Sequence, residues 1–211
     1  MSRINIFAAT ALALSIGTLA QASIIGNGPS NQSGASDLNA FIEGDDFVVA
    51  GPSAQVTQIK FWALQFTPAD FSGTMDWAFY SDASGFPGSS ISSGNAAATG
   101  VATGFNVFGL DEFAYTLNIN ATLGTGTYWL ALHNGPSNTI PNGSFYWSWS
   151  DGNSGNSASL DVLSGPPWTG NSAELAFELT VADAPEPMSM SLVGGGLLAA
   201  WLLRRKKALG A

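Results

Sequence analysis

The sequence predicts an all-β fold for residues 23–183, an antiparallel β-sandwich of jelly-roll type. Short apolar runs alternate with gaps rich in Gly, Asn and Ser, which is the spacing of strands and turns in a sandwich. Aromatic residues, Ser and Thr are abundant in this region, whereas the helix formers Lys, Arg and Glu are scarce. The sequence contains no fixed-period repeat, so it does not predict a solenoid. A region of about 160 residues is large enough for one domain with its own core.

The strands follow from local patterns. Residues 55–66 carry apolar side chains on both faces, which predicts a central strand. Residues 115–120 alternate apolar and polar side chains, as in a half-buried strand. Residues 24–39 are predicted as a lead-in arm, and Gly124-Thr125-Gly126 as a turn between two strands. The predicted strands are 45–49, 55–66, 76–80, an edge strand within 89–104, 115–120, 127–133, 144–150 and 174–181.

The strand 127–133 allows a prediction about the core. Leu130 and Leu132 alternate with less reliably apolar neighbours, so they should point inward, with Tyr128 at the margin. Trp129 is expected to be at least half buried, because its small neighbour Ala131 leaves room for close packing.

The N-terminus has the pattern of a secretory signal peptide, residues 1–22. Arg3 supplies the positive charge, Ile6 to Leu19 is apolar, and Ala20-Gln21-Ala22 forms a small-x-small cleavage site before Ser23. The apolar stretch is short for a permanent anchor. Export by the Sec machinery follows. The sequence contains no cysteine, which excludes a lipid-modified cysteine and disulfide bonds.

The C-terminal residues 184–211 have three parts: a proline turn, an apolar run and a basic cluster. Two prolines around one carboxylate break any helix. The apolar run 188–203 would be roughly 24 Å long as a helix, a short membrane span that relies on thinning of the bilayer or snorkelling. A buried C-terminal helix is the alternative, although adjacent cations suit a membrane face better. The residues are Pro185, Glu186 and Pro187 in the turn and Arg204, Arg205, Lys206 and Lys207 in the cluster.

This three-part tail resembles the PEP-CTERM sorting signal of Gram-negative bacteria, with Gly194, Gly195 and Gly196 in its apolar run. The resemblance implies transient insertion in the inner membrane, recognition by an exosortase-type enzyme, and delivery to the cell surface or an extracellular matrix. It names a destination, and it does not name an activity.

The body resembles a β-sandwich ectodomain found in many PEP-CTERM proteins, a domain type to which the resemblance assigns no reaction. Glu178 departs from that pattern, since a neutral residue is expected in the last strand. The pieces that carry the resemblance are Asp45-Asp46-Phe47, Phe79 to Asp82 with Gly85 and Pro87-Gly88, Gly126 to Leu132, Trp147-Ser148-Trp149 and Glu174 to Leu179.

Charge narrows the set of partners. Between Ser23 and Pro187 one lysine, Lys60, stands beside all 15 Asp and Glu, a formal charge of −14 against −9 for the whole chain. Such a region cannot neutralise phosphates, so nucleic acid is a poor partner, whereas cations including calcium are attracted.

Catalytic patterns are sparse. The only histidine, His133, precedes Asn134-Gly135 and is interpreted as a strand-terminal surface residue. No G-x-S-x-G elbow is present. The carboxylate pairs Asp45-Asp46 and Asp111-Glu112 should point to opposite faces of their strands and belong to solvated acidic segments. A hydrolase would need His133 or a carboxylate pair in a cleft.

The sequence leaves two hypotheses about binding sites undecided. Asp151 and Asn153 place oxygen ligands at alternating positions of a Gly-rich loop, with a weaker echo at Asp82 to Gly85, so calcium binding competes there with a plain turn. Trp147 and Trp149 fall on one face of a strand with Phe145; exposed, they would stack on sugar rings, and buried, they would fill the core. We expect a non-catalytic surface or matrix protein, with an exopolysaccharide-binding module as the alternative.

Overall fold

The computed structural model describes residues 22–152 and 156–182, and in this part the chain is all-β and antiparallel. The only helical piece there is a 3-10 turn at Pro68–Asp70, so none of its helices is long and apolar enough to cross a membrane. The predicted signal peptide (apart from Ala22) and the whole sorting signal lie outside the described residues. The strands are β1 Ala22–Ile25, β2 Ala35–Asp37, β3 Phe41–Gln65, β4 Thr74–Asp82, β5 Pro87–Val107, β6 Leu110–Asn134, β7 Phe145–Ser150, β8 Ser157–Asp161, β9 Thr169–Asn171, β10 Glu174–Leu175 and β11 Phe177–Ala182.

The sheet is built on the pairing of β3 with β6, two strands of 25 residues each. The hydrogen-bonded order is β1-β11-β3-β6-β4-β5, and this pattern is consistent with a β-sandwich. Strand β3 also pairs with β8 at its start and with β7 at its end. Strand β7 in turn pairs with β2 and β10.

The predicted turn at Gly124-Thr125-Gly126 is wrong, because these residues continue β6 without a break. Their partner strand absorbs the irregularity instead. Val49 lies opposite Gly126 and Ser53 opposite Gly124, so three residues of β3 face a single residue of β6. The Thr125 hydroxyl donates to the Gly51 carbonyl across this bulge. The glycines therefore mark a bend in a long ladder, a usual place for a bulge.

The prediction of residues 24–39 as a lead-in arm is partly wrong as well, since β1 and β2 both belong to the sheet. Ala22 and Ser23, which flank the predicted cleavage point, start β1 opposite Ala182 and Val181. The edge strand predicted within 89–104 is confirmed, because β5 ends the strand order and most of its side chains are exposed.

The core collects the inward side chains of β3, β6, β7 and β11. Phe61 is at its centre: its ring lies 5.5 Å from Tyr115, 6.4 Å from Phe145 and 6.2 Å from Trp147. Such aromatic pairs contribute about 0.5–1.5 kcal/mol each beyond the burial of their area. The predicted inward face of 127–133 is confirmed, because Leu130 and Leu132 are fully buried, and Trp129 is buried with them at 1% exposure.

Replacing Leu130 with Ala should lower the free energy of unfolding by roughly 2–5 kcal/mol, since a buried leucine leaves a cavity that its neighbours only partly fill. A urea melt measures this loss. Leu163→Ala is the matched control, because Leu163 is 77% exposed, and it should change stability by less than about 0.5 kcal/mol. A Leu130→Ala melt that superimposes on the parent would show that the inward face is assigned to the wrong residues.

Candidate functional site

An open groove of about 710 Å³ runs beside the end of β7 and the β9–β10 connection. Its walls combine one aromatic platform, two carboxylates and several hydroxyl and amide groups. We call it the Trp149 groove. It is lined by Ser36, Asp37, Phe41, Glu43, Trp149, Ser159, Gly170, Asn171, Ser172 and Ala173.

Of the two alternatives for the aromatic face of β7, burial in the core holds for Trp147 and Phe145. Trp147 is fully buried, its ring lies 6.1 Å from Phe177, and its indole N–H donates to the Ala176 carbonyl over 2.8 Å. Phe145 is fully buried as well. These two side chains are buried because the ring of Phe61 packs against both of them. Of the predicted sugar-binding pair, only Trp149 remains partly exposed.

Trp149 is held in a fixed orientation. Its indole N–H donates to the Ser36 hydroxyl over 3.1 Å, and its six-membered ring lies against Gly34. A Cβ built on Gly34 would come within 2.2 Å of that ring, so only glycine fits beneath it. A rigid aromatic surface at the wall of an open groove loses little conformational entropy when a ligand stacks on it.

The groove holds two carboxylates of different character. Glu43 is only 3% exposed, and its Oε2 atom is buried without a hydrogen-bond partner. Burial, and to a lesser extent the negative charge of Asp37, raise the pKa of Glu43 to about 8. Asp37 is half-buried and uses Oδ1 to accept hydrogen bonds from the Asn39 and Ala40 amides, which fixes the turn after β2. Neither residue was singled out from the sequence.

A signal for Glu43 was nonetheless present in the sequence. Glu43, Asp45, Phe47 and Val49 occupy alternate positions of one strand, so they share a face, and Phe47 and Val49 make that face apolar. A carboxylate on the apolar face of a strand is a candidate site residue.

His133 is buried, not exposed, which corrects the sequence interpretation. Its Nδ1 lies 3.0 Å from the Gly135 carbonyl oxygen and its Nε2 lies 3.1 Å from the Asn39 carbonyl oxygen. Because β6 continues one residue further to Asn134, His133 sits inside a strand covered by the residues after β2. Both ring nitrogens contact backbone, so neither contacts a serine or a carboxylate as a catalytic triad requires.

One member of each carboxylate pair is buried, which corrects the expectation that both pairs are solvated. Asp45 is fully buried and Glu112 is 2% exposed, with its Oε2 accepting a hydrogen bond from the Thr103 hydroxyl over 2.9 Å. Adjacent Asp45 and Asp46 were also expected to point apart. Instead one oxygen of each, together with one from Glu174, lies within 4.8 Å of the others.

The predicted calcium loop is only partly described. Asp151 accepts a hydrogen bond at Oδ1 from the Asn31 amide over 2.9 Å, and its neighbour Gly152 lies against Glu174 and Asn27. Asn153 lies outside the described residues. At the weaker echo, Asp82 Oδ1 accepts from the Trp129 indole over 3.0 Å and from the Gly85 amide over 3.1 Å, as in an Asx turn.

No model of a known protein family matches the chain, and no curated protein is significantly similar to it.

Replacing His133 with Gln should lower the free energy of unfolding by about 1–3 kcal/mol, because a buried carbonyl oxygen loses its ring N–H donor. A urea melt measures the change, and Asn138→Gln in the exposed loop that follows is the control. A stability equal to that of the parent would mean that the two ring contacts contribute nothing to folding.

Proposed function

We propose that the chain is an exported surface or extracellular-matrix protein without catalytic activity, whose β-sandwich body of jelly-roll type binds polysaccharide in the Trp149 groove. The observation that carries the binding proposal is the partly exposed Trp149 ring at the wall of an open groove lined with hydroxyl, amide and carboxylate groups. Aromatic faces stack on sugar rings, and the polar groups bind their hydroxyls.

Charge favours neutral polysaccharides. Asp37 can accept hydrogen bonds from sugar hydroxyls, whereas a uronic acid or a phosphate would meet a region of formal charge −14. The one Lys or Arg between Ser23 and Pro187, Lys60, lies 3.2 Å from Glu178 and 4.3 Å from the centre of the Trp62 ring, outside the groove. Anionic glycans therefore lack a basic partner among the residues that line the groove.

Glycoside hydrolysis is the second candidate, since two carboxylates do converge in this groove. A raised pKa suits a general acid. Two features favour binding over hydrolysis: Glu43 is 3% exposed with Oε2 enclosed, and Asp37 Oδ1 is engaged by two backbone amides. A catalytic acid must reach the glycosidic oxygen, and the enclosure of Glu43 keeps its carboxyl group from a glycan in the groove.

Export is proposed from the two ends of the sequence. The signal peptide directs the chain to the Sec machinery, and the Pro185-Glu186-Pro187 tail directs it to an exosortase-type enzyme after insertion in the inner membrane. The absence of cysteine and the acidic body suit an extracellular protein that folds on burial alone.

The exported protein, incubated with a glycan array, should bind neutral polysaccharides in preference to uronic-acid polymers. Trp149→Ala should weaken that binding roughly tenfold or more, a loss of about 1.4 kcal/mol, because the stacking surface is removed. Trp149→Phe should retain most of it.

Two further variants make this experiment specific. Gly34→Ala should weaken binding like Trp149→Ala, because its methyl group displaces the ring, while Trp168→Ala, whose ring packs on Tyr80 outside the groove, is the control. Equal binding by parent and Trp149→Ala would remove the groove from the proposal. Release of reducing ends from a bound glycan would instead establish the hydrolase.

The mass of the protein recovered from its native host tests the sorting proposal. The expected product begins at Ser23 and lacks Arg204 to Lys207, because both end segments are removed during export. Intact-mass spectrometry measures this directly. A surface form that retains the four basic residues would favour a permanent anchor over sorting.

A further inference from the structure

Three carboxylates meet where the loop between β7 and β8 begins and ends. Glu174 lies opposite Ser150, the last residue of β7, and Asp45 lies opposite Ser157, the first residue of β8. Asp46 follows Asp45 in β3 and lies opposite Trp129 of β6. One oxygen from each of Asp45, Asp46 and Glu174 lies within 4.8 Å of the others.

Asp45 has one carboxylate oxygen whose burial is not compensated by a hydrogen bond. The residue is fully buried, its Oδ2 accepts a hydrogen bond from the Leu175 amide, and its Oδ1 is buried with no hydrogen-bond partner. An enclosed carboxylate oxygen without a donor is costly in a protein interior. A ligand that accepts electron pairs would remove this cost.

The surroundings of Asp45 favour a cation as that ligand. Its carboxylate lies beside those of Asp46 and Glu174, so three negatively charged groups crowd one place that a cation would neutralise. Because Lys60 is the only Lys or Arg between Ser23 and Pro187 and it contacts Glu178, no lysine or arginine of that region neutralises Asp45.

Oxygen atoms are plentiful around the cluster. The Asn27 side chain lies against Gly152, as does Glu174 Oε2, and the Asn156 amide donates to Glu174 Oε1 over 3.1 Å. The described ends of the loop, Gly152 and Asn156, therefore both lie next to the Glu174 carboxylate. No histidine or cysteine takes part in the cluster, which disfavours zinc and copper and favours a hard cation with oxygen ligands.

We propose that Asp45, Asp46 and Glu174 bind one Ca²⁺ ion, which fixes the two ends of the 151–156 loop. Calcium accepts six to eight oxygen ligands in flexible geometry, so carboxylates from two strands can be completed by water and by other oxygen atoms nearby. Asp151 is not one of the anchoring ligands, because its Oδ1 is engaged by Asn31 and its side chain is exposed. The ligands come from β3 and β10, which pair with the strands at the two ends of the loop, and not from the loop residues Asp151 and Asn153 on which the sequence pattern centred.

Calorimetric titration with CaCl₂ of the full-length protein, stripped with EGTA, tests this proposal. One Ca²⁺ should bind per chain with Kd on the order of 10⁻⁴ to 10⁻³ M or tighter, the range of extracellular modules. Saturating calcium should raise Tm by roughly 4–8 °C over the EGTA sample, and equimolar magnesium should raise it less.

Three variants distinguish calcium binding at this site from nonspecific binding of calcium to the acidic surface. Asp45→Asn should lose the calcium-dependent rise in Tm, because a carboxamide cannot supply the carboxylate ligand. Asp46→Asn, at a half-buried position, should weaken calcium binding and replaces Asp45→Asn if that variant does not fold. Asp111→Asn, at an exposed carboxylate in β6, should bind like the parent.

Three results would overturn the proposal. Absence of calcium heat and of any Tm change would show that protons alone stabilise the cluster. Loss of binding in Asp151→Asn with full binding in Asp45→Asn and Asp46→Asn would move the site to the loop. Weak binding of several ions, unchanged in every variant, would show adventitious association with an acidic surface.

Discussion

The pairing of β3 with β6 is the constraint on which the rest of the fold depends. Each strand is 25 residues long, and their ladder extends from Glu43 opposite Leu132 to Gln65 opposite Asp111. The bulge at residues 50–52 lets the pair bend without losing its register on either side. Because β8, β11 and β7 each add to a different segment of β3, this one ladder decides which side chains reach the core and which reach the groove.

The inward face of β3 changes character along its length. Phe47 and Val49 belong to the core, but Glu43 and Asp45, four and two residues before Phe47 on the same face, put carboxylates into nearly dry positions. A buried carboxylate is expensive unless it is protonated, hydrogen-bonded or matched by a cation. Lys60 is the one Lys or Arg between Ser23 and Pro187, so the acidic body has few cationic side chains that could pair with a buried carboxylate. Glu43 is therefore favoured in its neutral form beside the groove, and Asp45 is placed where a cation can be shared with Glu174.

The sequence predicted the strands well, because alternation and turn composition are local signals. The inward positions of Leu130 and Leu132 followed from alternation alone. The failures at Gly124 to Gly126 and at His133 share a cause: a glycine or an Asn-Gly pair permits a turn, but the partner strand decides whether one forms. Asp45 and Asp46 were separated by a rule for ideal strands, which takes no account of a strand end or of the Glu174 side chain arriving from another element. The Trp149 groove is likewise assembled from distant segments, so no local pattern contained it.

The groove and the carboxylate cluster are connected through β10, a strand of only two residues. Leu175 lies opposite Trp149 in the ladder, and its amide donates to Asp45. Ala173 lines the groove directly before Glu174, so a single short segment carries one wall of the groove and one carboxylate of the cluster. A strand with two ladder positions has little stability of its own and opens readily. A cation held by Glu174 and Asp45 would fasten this segment to β3 before any sugar arrives. The sugar would then bind to a groove wall that is already ordered, so its binding would not include the entropic cost of ordering that wall. In this way a cation at the carboxylate cluster would raise the affinity of the groove for the sugar.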